Sequence, residues 1–429
     1  MTRRVMSELS ELDQRVLWHP FTQMAEWSPL VIASGDGSFL IDETGTRYLD
    51  GVSSLWCNLH GHRHPRLDSA LRDQLDRIAH STFLGLAHEP GIRLGAALLE
   101  VAPAGLARVF YSDSGSTAVE IALKQSFQYW QLRGRPAKQK FLRLGDAYHG
   151  DTLGAVGVGG IELFHRIFGP LLVRSLLVPT PAGTDGTASL EVLEQHLASQ
   201  ADQIAAFVLE PLVQGAAGML LHPRGYLARV AELCRRYSVH LIVDEVATGF
   251  GRTGTLFACE QERVSPDFLC LAKGISGGYL PLAATLTTEA IYAAFLGAAD
   301  ELKQFFHGHT YTANPLACAV GLESLALLRE STLPNAVAKI PRLAEALERV
   351  RALPGVDSVR QCGFMAGIEL APRAGRRLGA EVCARARRHG VILRPLGDVV
   401  VWMPPLSLQP VDLALLEQAT TLALREVLA

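Results

Sequence analysis

The sequence predicts an α/β fold, in which a mostly parallel β-sheet is covered on both faces by helices and joined to a smaller α+β part. Three observations predict it. The chain has 429 residues, 48% of them hydrophobic, enough for a large core spread over two or three domains. From about residue 71 to 318, helical patterns alternate with short apolar runs. Each run is bounded by polar or Gly-rich residues, as strands buried on both faces are.

Taken in order, residues 1 to about 70 are rich in Gly, Pro and aromatics. They carry a hairpin signal in Phe39-Leu40-Ile41-Asp42, Thr44-Gly45 and Tyr48-Leu49. The clearest strands follow: Arg108-Val109-Phe110-Tyr111, Ala206-Phe207-Val208-Leu209, His240-Leu241-Ile242-Val243 and Phe268-Leu269-Cys270-Leu271. Residues 312 to 351 read as long helices interrupted near Pro334, because proline lacks an N–H and crowds the preceding turn. The remainder reads as a strand over 365–370, a helix over 379–389, a strand at Val391-Ile392-Leu393 and a last helix from about 411. The expected division is a segment 1–70 of a small domain, a large domain 71–318, and the rest of the small domain in 319–429.

Composition excludes several classes of function. Net charge is only −3, with both signs interspersed and neither a basic block nor an aromatic stripe, so no nucleic acid is expected as partner. Arg376-Arg377 and Arg387-Arg388 read as solvated helix faces. The seven cysteines are scattered and form no CxxC pair, which points away from disulfides and zinc and toward a reducing, cytoplasmic setting. Arg3 and Arg4 are followed by acidic residues where a signal peptide needs an apolar stretch, and no run is long enough to span a bilayer. His149, His307 and His309 lack acidic partners at ligand spacing, so no metal is expected.

The chemistry gathers where an open α/β sheet places ligands, at the carboxyl ends of strands. Ser112-Asp113-Ser114-Gly115-Ser116-Thr117 follows the first run and opens a helix, a turn that presents backbone N–H groups to an anion. Ordinary helix capping by Ser and Thr is the alternative reading. The run at 240–243 ends in Asp244 and Glu245, and the run at 268–271 leads to Lys273. A lysine at a buried strand tip is costly unless it is paired or reactive. With an anion-binding turn and a carboxylate it makes a chemical set: the amine condenses with an aldehyde cofactor, the carboxylate keeps a pyridine nitrogen protonated, and the helix N-terminus holds a phosphate. Asp244 is the candidate carboxylate; Glu245 should point the other way, because strand side chains alternate.

In these segments, and in Tyr148-His149-Gly150-Asp151, Glu210-Pro211-Leu212-Val213-Gln214-Gly215, Asp244 through Gly254 and Leu271-Ala272-Lys273-Gly274, the chain resembles the class III (ω-amino acid) aminotransferases over nearly its whole length. The resemblance implies a pyridoxal 5′-phosphate (PLP) enzyme of transferase fold type I, with a mostly parallel seven-stranded sheet in the large domain and a smaller α+β domain built from both termini. It also implies residue roles. Gly115 and Ser116 bind the phosphate, completed by Thr310 of the partner subunit in a homodimer with shared sites. Tyr148 stacks on the ring and Gln214 lies near its phenolic oxygen. Asp244 pairs with the ring nitrogen, and Lys273 carries the cofactor and moves protons. Trp56, Asp151 and Gly308 line the substrate pocket, and Arg394 grips a substrate carboxylate in a bidentate fork. Arg394 also reads as one half of a surface ion pair, and Arg252 as a loop-ordering residue.

Further segments narrow the resemblance: Trp18 through Met24, Ser53-Ser54-Leu55-Trp56, the stretch from His307 to Ala319, and Leu393-Arg394-Pro395-Leu396-Gly397. They imply amination of 8-amino-7-oxononanoate in biotin biosynthesis, with S-adenosylmethionine as the usual donor. Phe21, Leu55, His309 and Val401 depart from that pattern in segments expected to contact substrate and not the cofactor. They favour the alternative of another ω-aminotransferase, acting on a diamine, a β- or ω-amino acid or a secondary-metabolite intermediate.

Overall fold

A computed structural model of the chain describes residues 7–173 and 175–429. The Arg3-Arg4 part of the N-terminal segment lies outside the described residues. At the centre is a seven-stranded sheet of β4 (Leu106–Ser112), β5 (Lys140–Leu144), β6 (Leu176–Val178), β7 (Ile204–Leu209), β10 (His240–Asp244), β11 (Phe268–Leu271) and β12 (Ala283–Thr288), in the order β4-β12-β11-β10-β7-β5-β6. Only β12 runs antiparallel, and it does so to both its neighbours. The other six therefore end at one edge, where their following loops meet.

Alternation along the strands assigns the two faces. Val208, Ile242, Phe268 and Cys270 pack with Ala118, Val119 and Ala122 of the helix Gly115–Leu132. Phe207, Leu209, Leu241, Val243, Leu269 and Leu271 pack with Leu193, Leu197, Leu227 and Val230 of the helices Thr187–Gln200 and Tyr226–Arg236. Every residue of β7, β10 and β11 is buried, which is why these strands read as continuous apolar runs.

The expected hairpin forms β2 (Phe39–Asp42) and β3 (Arg47–Asp50), with β1 (Ile32–Asp36) on its outer edge. Its sheet is completed from the far end of the chain: β15 (Val391–Ile392) pairs parallel with β3. Another four-stranded sheet has the order β13 (Val356–Cys362), β14 (Met365–Leu370), β17 (Val399–Trp402) and β16 (Arg394–Leu396). A two-stranded ribbon, β8 (Val213–Gln214) with β9 (Leu220–Leu221), lies beside the central sheet's carboxyl edge.

The break expected near Pro334 comes just after it, at residues 338 and 339. The helix Pro315–Leu327 continues through a π-helical segment, Leu328–Thr332, into the turn Leu333–Val337. Pro334 sits in the first turn of that last piece. The widened π-helical turn just before it accommodates a residue that offers no N–H. The chain then turns and restarts as Ile340–Arg351. No helix of the described residues is long and apolar enough to cross a membrane.

Candidate active site

The strand ends converge on a cavity of ≈ 400 Å³ lined by residues that include Trp56, Cys57, Asp113, Gly115, Ser116, Tyr148, His149, Glu210, Asp244, Val246 and Lys273. One wall is the start of the helix Gly115–Leu132. Ser114 caps it in a reciprocal box with Thr117, which leaves the N–H groups of Gly115 and Ser116 without intrahelical partners and aimed out of the helix end. Gly150, at φ +114°, lies so close that a Cβ would collide with the Ser116 side chain. Only glycine lets this loop approach the helix end.

Asp244 ends β10 and is 4% exposed. Its Oδ1 accepts the N–H of Val246 (3.0 Å), and its Oδ2 is 2.7 Å from His149 Nδ1. A carboxylate accepts, so the imidazole carries its proton on Nδ1; its Nε2 is buried with no partner among the described residues. Glu245 points away as expected, accepting from Thr248 Oγ1 (2.6 Å) and Cys259 N (2.8 Å).

Lys273 follows β11 in a left-handed conformation, φ +46°, which a non-glycine residue adopts only under constraint. Its Nζ stands 5.0 Å from the centroid of the Trp56 ring. Burial pulls its ammonium below the ordinary lysine range, with Asp244 and Glu210 opposing. An amine held so is a candidate base and nucleophile. Tyr148 is half-buried, and its hydroxyl donates to Asp151 Oδ2 (2.8 Å). Burial first, then that carboxylate, pushes the phenol up, so it stays protonated.

The comparisons with known proteins fit this geometry. The family described as Aminotransferase class-III matches residues 22–423. The chain belongs to the class III aminotransferases.

Similar curated proteins include the adenosylmethionine-8-amino-7-oxononanoate aminotransferases of Nitratidesulfovibrio vulgaris, 52% identical over 95% of this chain and 80% of that protein, and Geobacter sulfurreducens, 50% identical over 93% of each. The crystal structure of the Methanocaldococcus jannaschii enzyme of the same name superposes with a TM-score of 0.94 at 41% identity, over 98% of this chain and 99% of that one. An amine transaminase from an uncultivated Pseudomonas species, in its PLP-bound form, gives 0.90 at 36% identity, over 96% and 99%.

PLP fits the residues of this class III aminotransferase. A helix N-terminus suits its phosphate, Asp244 its ring nitrogen, and Lys273 its aldehyde. The buried, unpartnered Ser112 Oγ and Trp56 Nε1 show polar capacity in this region that the protein leaves unused.

Of the residues singled out in the sequence, Trp56, Gly115, Ser116, Tyr148, Asp244 and Lys273 line the cavity. Gln214 does not. It is wholly buried, and its amide is spent on Gly145 O (2.7 Å) and Thr180 Oγ1 (2.6 Å). Asp151 reaches the site through Tyr148 and through its own N–H, which donates to Ser116 Oγ (3.2 Å). Gly308 and Thr310 are exposed and are not among the residues that line this chain's own cavity. Arg394 is half-buried on β16, and its guanidinium has neither a hydrogen bond nor an ion pair among the described residues, so the ion-pair alternative fails. Arg252 orders loops, donating to Pro404 O (2.6 Å) and Asn58 O (2.9 Å).

Two of the four departures also sit differently from expectation. Val401 is fully buried in an apolar cluster with Trp56, Met365 and Met403, behind the cavity and not on it. His309 Nε2 lies 4.0 Å from Asp113 Oδ1, beside the helix N-terminus, so it stands on the anion-binding side.

The sequence reading missed two residues. In the sequence His149 suggests only a metal ligand, yet it buttresses Asp244. Glu210 directly follows the run 206–209, so the strand-end rule that singled out Asp244 and Lys273 also marks it. Its Oε2 accepts Tyr148 N (3.1 Å) and its Oε1 accepts Gly215 N (2.9 Å). Burial, with Asp244 adding to it, pushes this carboxyl from 4.5 up to about 7. The folded protein thus binds more protons than the unfolded chain between those values, and stability falls as pH rises through that window. Unfolding free energies measured in urea should shift by about 3 kcal/mol in favour of Glu210→Gln, relative to wild type, between pH 4.5 and 7.5. A pH-independent difference would remove Glu210 from this account.

Proposed function

We propose that this enzyme is a PLP-dependent aminotransferase that converts 8-amino-7-oxononanoate to 7,8-diaminononanoate in biotin biosynthesis, with S-adenosylmethionine as amino donor. The observation that carries transamination is the meeting of the Lys273 amine, the Asp244 carboxylate and a helix N-terminus in one cavity. When bound, PLP supplies the electron sink that stabilises a carbanion at the substrate carbon. Lys273 Nζ takes the proton from the donor's amine-bearing carbon, helped by the burial that disfavours its charged form. Asp244 holds positive charge on the ring nitrogen, and His149 holds Asp244. Gly115 and Ser116 bind the phosphate, and Tyr148 covers the ring. Trp56 and Asp151 contact substrate.

The substrate assignment is supported by the relatives' names and by the unpaired Arg394, whose free guanidinium suits a carboxylate. Arg394→Ala should raise the KM of the keto acceptor about 10- to 100-fold, the worth of a charged hydrogen-bonded pair, with cofactor affinity within about twofold of wild type. Expression of the chain should let a strain lacking this aminotransferase grow without biotin. No growth, together with turnover of another keto acid, refutes the substrate and favours the diamine or ω-amino acid alternative. A donor panel of S-adenosylmethionine, lysine and simple diamines identifies the amine source.

The same reading includes a cytoplasmic homodimer. Gly308 and Thr310 would then face the second copy's cavity, with Thr310 of the partner subunit completing the phosphate site. Support comes from Leu84, Phe306 and Tyr311, large side chains that are 89%, 68% and 62% exposed and that a second copy would cover. It also keeps 71–318 as the cofactor domain, with 1–70 and 319–429 forming the smaller one.

A further inference from the structure

The loop that carries Trp56 is held in an improbable shape. Ser53, Ser54 and Trp56 all have positive φ, at 52°, 61° and 65°. Three left-handed non-glycine residues among four positions are unfavourable for L-amino acids and persist only when surrounding contacts over-determine them.

Those contacts converge on Asp50, at the end of β3 and fully buried. Ser54 N donates to both of its carboxylate oxygens (2.8 and 2.7 Å), and Ser54 Oγ donates to Oδ2 (3.2 Å). His62 Nε2 donates to the same Oδ2 (3.0 Å), while His62 Nδ1 accepts from Asn58 Nδ2 (3.1 Å). Asn58 Oδ1 in turn accepts Gly61 N (2.8 Å), which settles the amide's orientation and hence the imidazole's tautomer.

The far side of the loop is held by a buried cation, Arg252, which donates to Asn58 O. Ser53 Oγ donates to Met403 O (2.7 Å), one residue from the other acceptor of Arg252, Pro404 O. An anion and a cation thus bracket residues 53–58. The loop is pressed onto the turn after Lys273: a Cβ on Gly278, at φ +87°, would lie 2.9 Å from Asn58 backbone atoms. The product of this arrangement is Trp56, 6% exposed, with its ring beside Lys273 Nζ and its indole N–H buried without a partner among the described residues.

We propose that Asp50 is a positioning residue for substrate specificity: through Ser54 it fixes the strained turn that presents Trp56 to the keto acceptor beside Lys273. The inference rests on the reading of Lys273 as the reacting amine. Asp50 is not among the residues that line the cavity. Its carboxylate is the acceptor that keeps Ser54 N turned inward. An amide in its place keeps the shape but sets an NH₂ group against one of these donors.

A double-mutant cycle tests it, scored on whichever keto acid the wild-type enzyme aminates. Asp50→Asn should raise the acceptor KM at least tenfold while the Kd for PLP changes less than threefold. Trp56→Ala should raise the acceptor KM by a similar factor. The two together should be no worse than Trp56→Ala alone, because Asp50 acts only through Trp56. His62→Gln, a milder change, should move KM in the same direction by about threefold and serves if Asp50→Asn does not fold. Additive effects of Asp50→Asn and Trp56→Ala, or an acceptor KM unmoved in the folded variants, overturn the proposal. Activity on a different keto acid from the one proposed refutes only the substrate assignment, and full activity in Lys273→Ala refutes the reading on which the proposal stands.

Discussion

Lys273→Ala is expected to lower kcat by at least about 10⁴-fold, the upper end of what one positioned acid–base group contributes. Among the described residues no other lysine lines the cavity, so no neighbouring amine of the same chain can take over the proton transfer. Binding of PLP should survive in weakened form, because the helix end at Gly115 and Ser116 and the Asp244 carboxylate are untouched. The test pairs steady-state turnover with borohydride treatment of the PLP-loaded protein and peptide mapping. Wild type should carry the label on Lys273, and the variant on no residue. Turnover within tenfold of wild type would remove Lys273 from the chemistry.

The second large effect is expected at Asp244. Asp244→Asn should lower kcat about 10²- to 10³-fold, the range seen when a preorganised electrostatic partner of developing charge is lost. The amide preserves volume and can still accept the N–H of Val246, so the fold should be retained. What it loses is negative charge in a site with little water to replace it. His149→Asn should cost less, about tenfold, because it leaves the charge and removes only the group that orients it. Combining the two should cost little more than Asp244→Asn alone, since the residues act as one unit. Multiplying effects in the double variant would show that His149 has a separate role.

Much of this site was legible because one rule, polar residues at the ends of apolar strands, found Asp244, Lys273 and the helix opening at Gly115. The same rule equally marks Glu210, which directly follows the run 206–209. Strands were missed where they were not uniformly apolar. β5 carries Lys140 and Arg143, whose charges find Gln200 and Ser175 at its borders. β12 is built of Ala and Thr around a single Leu286, with the hydroxyls of Thr285 and Thr287 satisfied by the carbonyls of Ala118 and Asp267. Gln214 stands off the cavity because the bonds that commit its amide come from Gly145 and Thr180, distant in sequence. Nothing local to Asp50 or Ser54 announces a strained turn, for that strain depends on His62, Met403 and Arg252.

By itself the sequence determined the alternation of helices and strands, the strand tips that carry the chemistry and the membership in an aminotransferase family, because periodicity and residue type along a few positions suffice for each. Only the tertiary structure decided which side chains face the cavity, that His149 serves Asp244, that Arg394 has no ion-pair partner among the described residues, and that a carboxylate and a guanidinium hold Trp56 in place. Those outcomes hang on contacts between segments up to 350 residues apart. Burial there makes every unpaired polar group costly, so partners are chosen by the packed whole and not by neighbours along the chain.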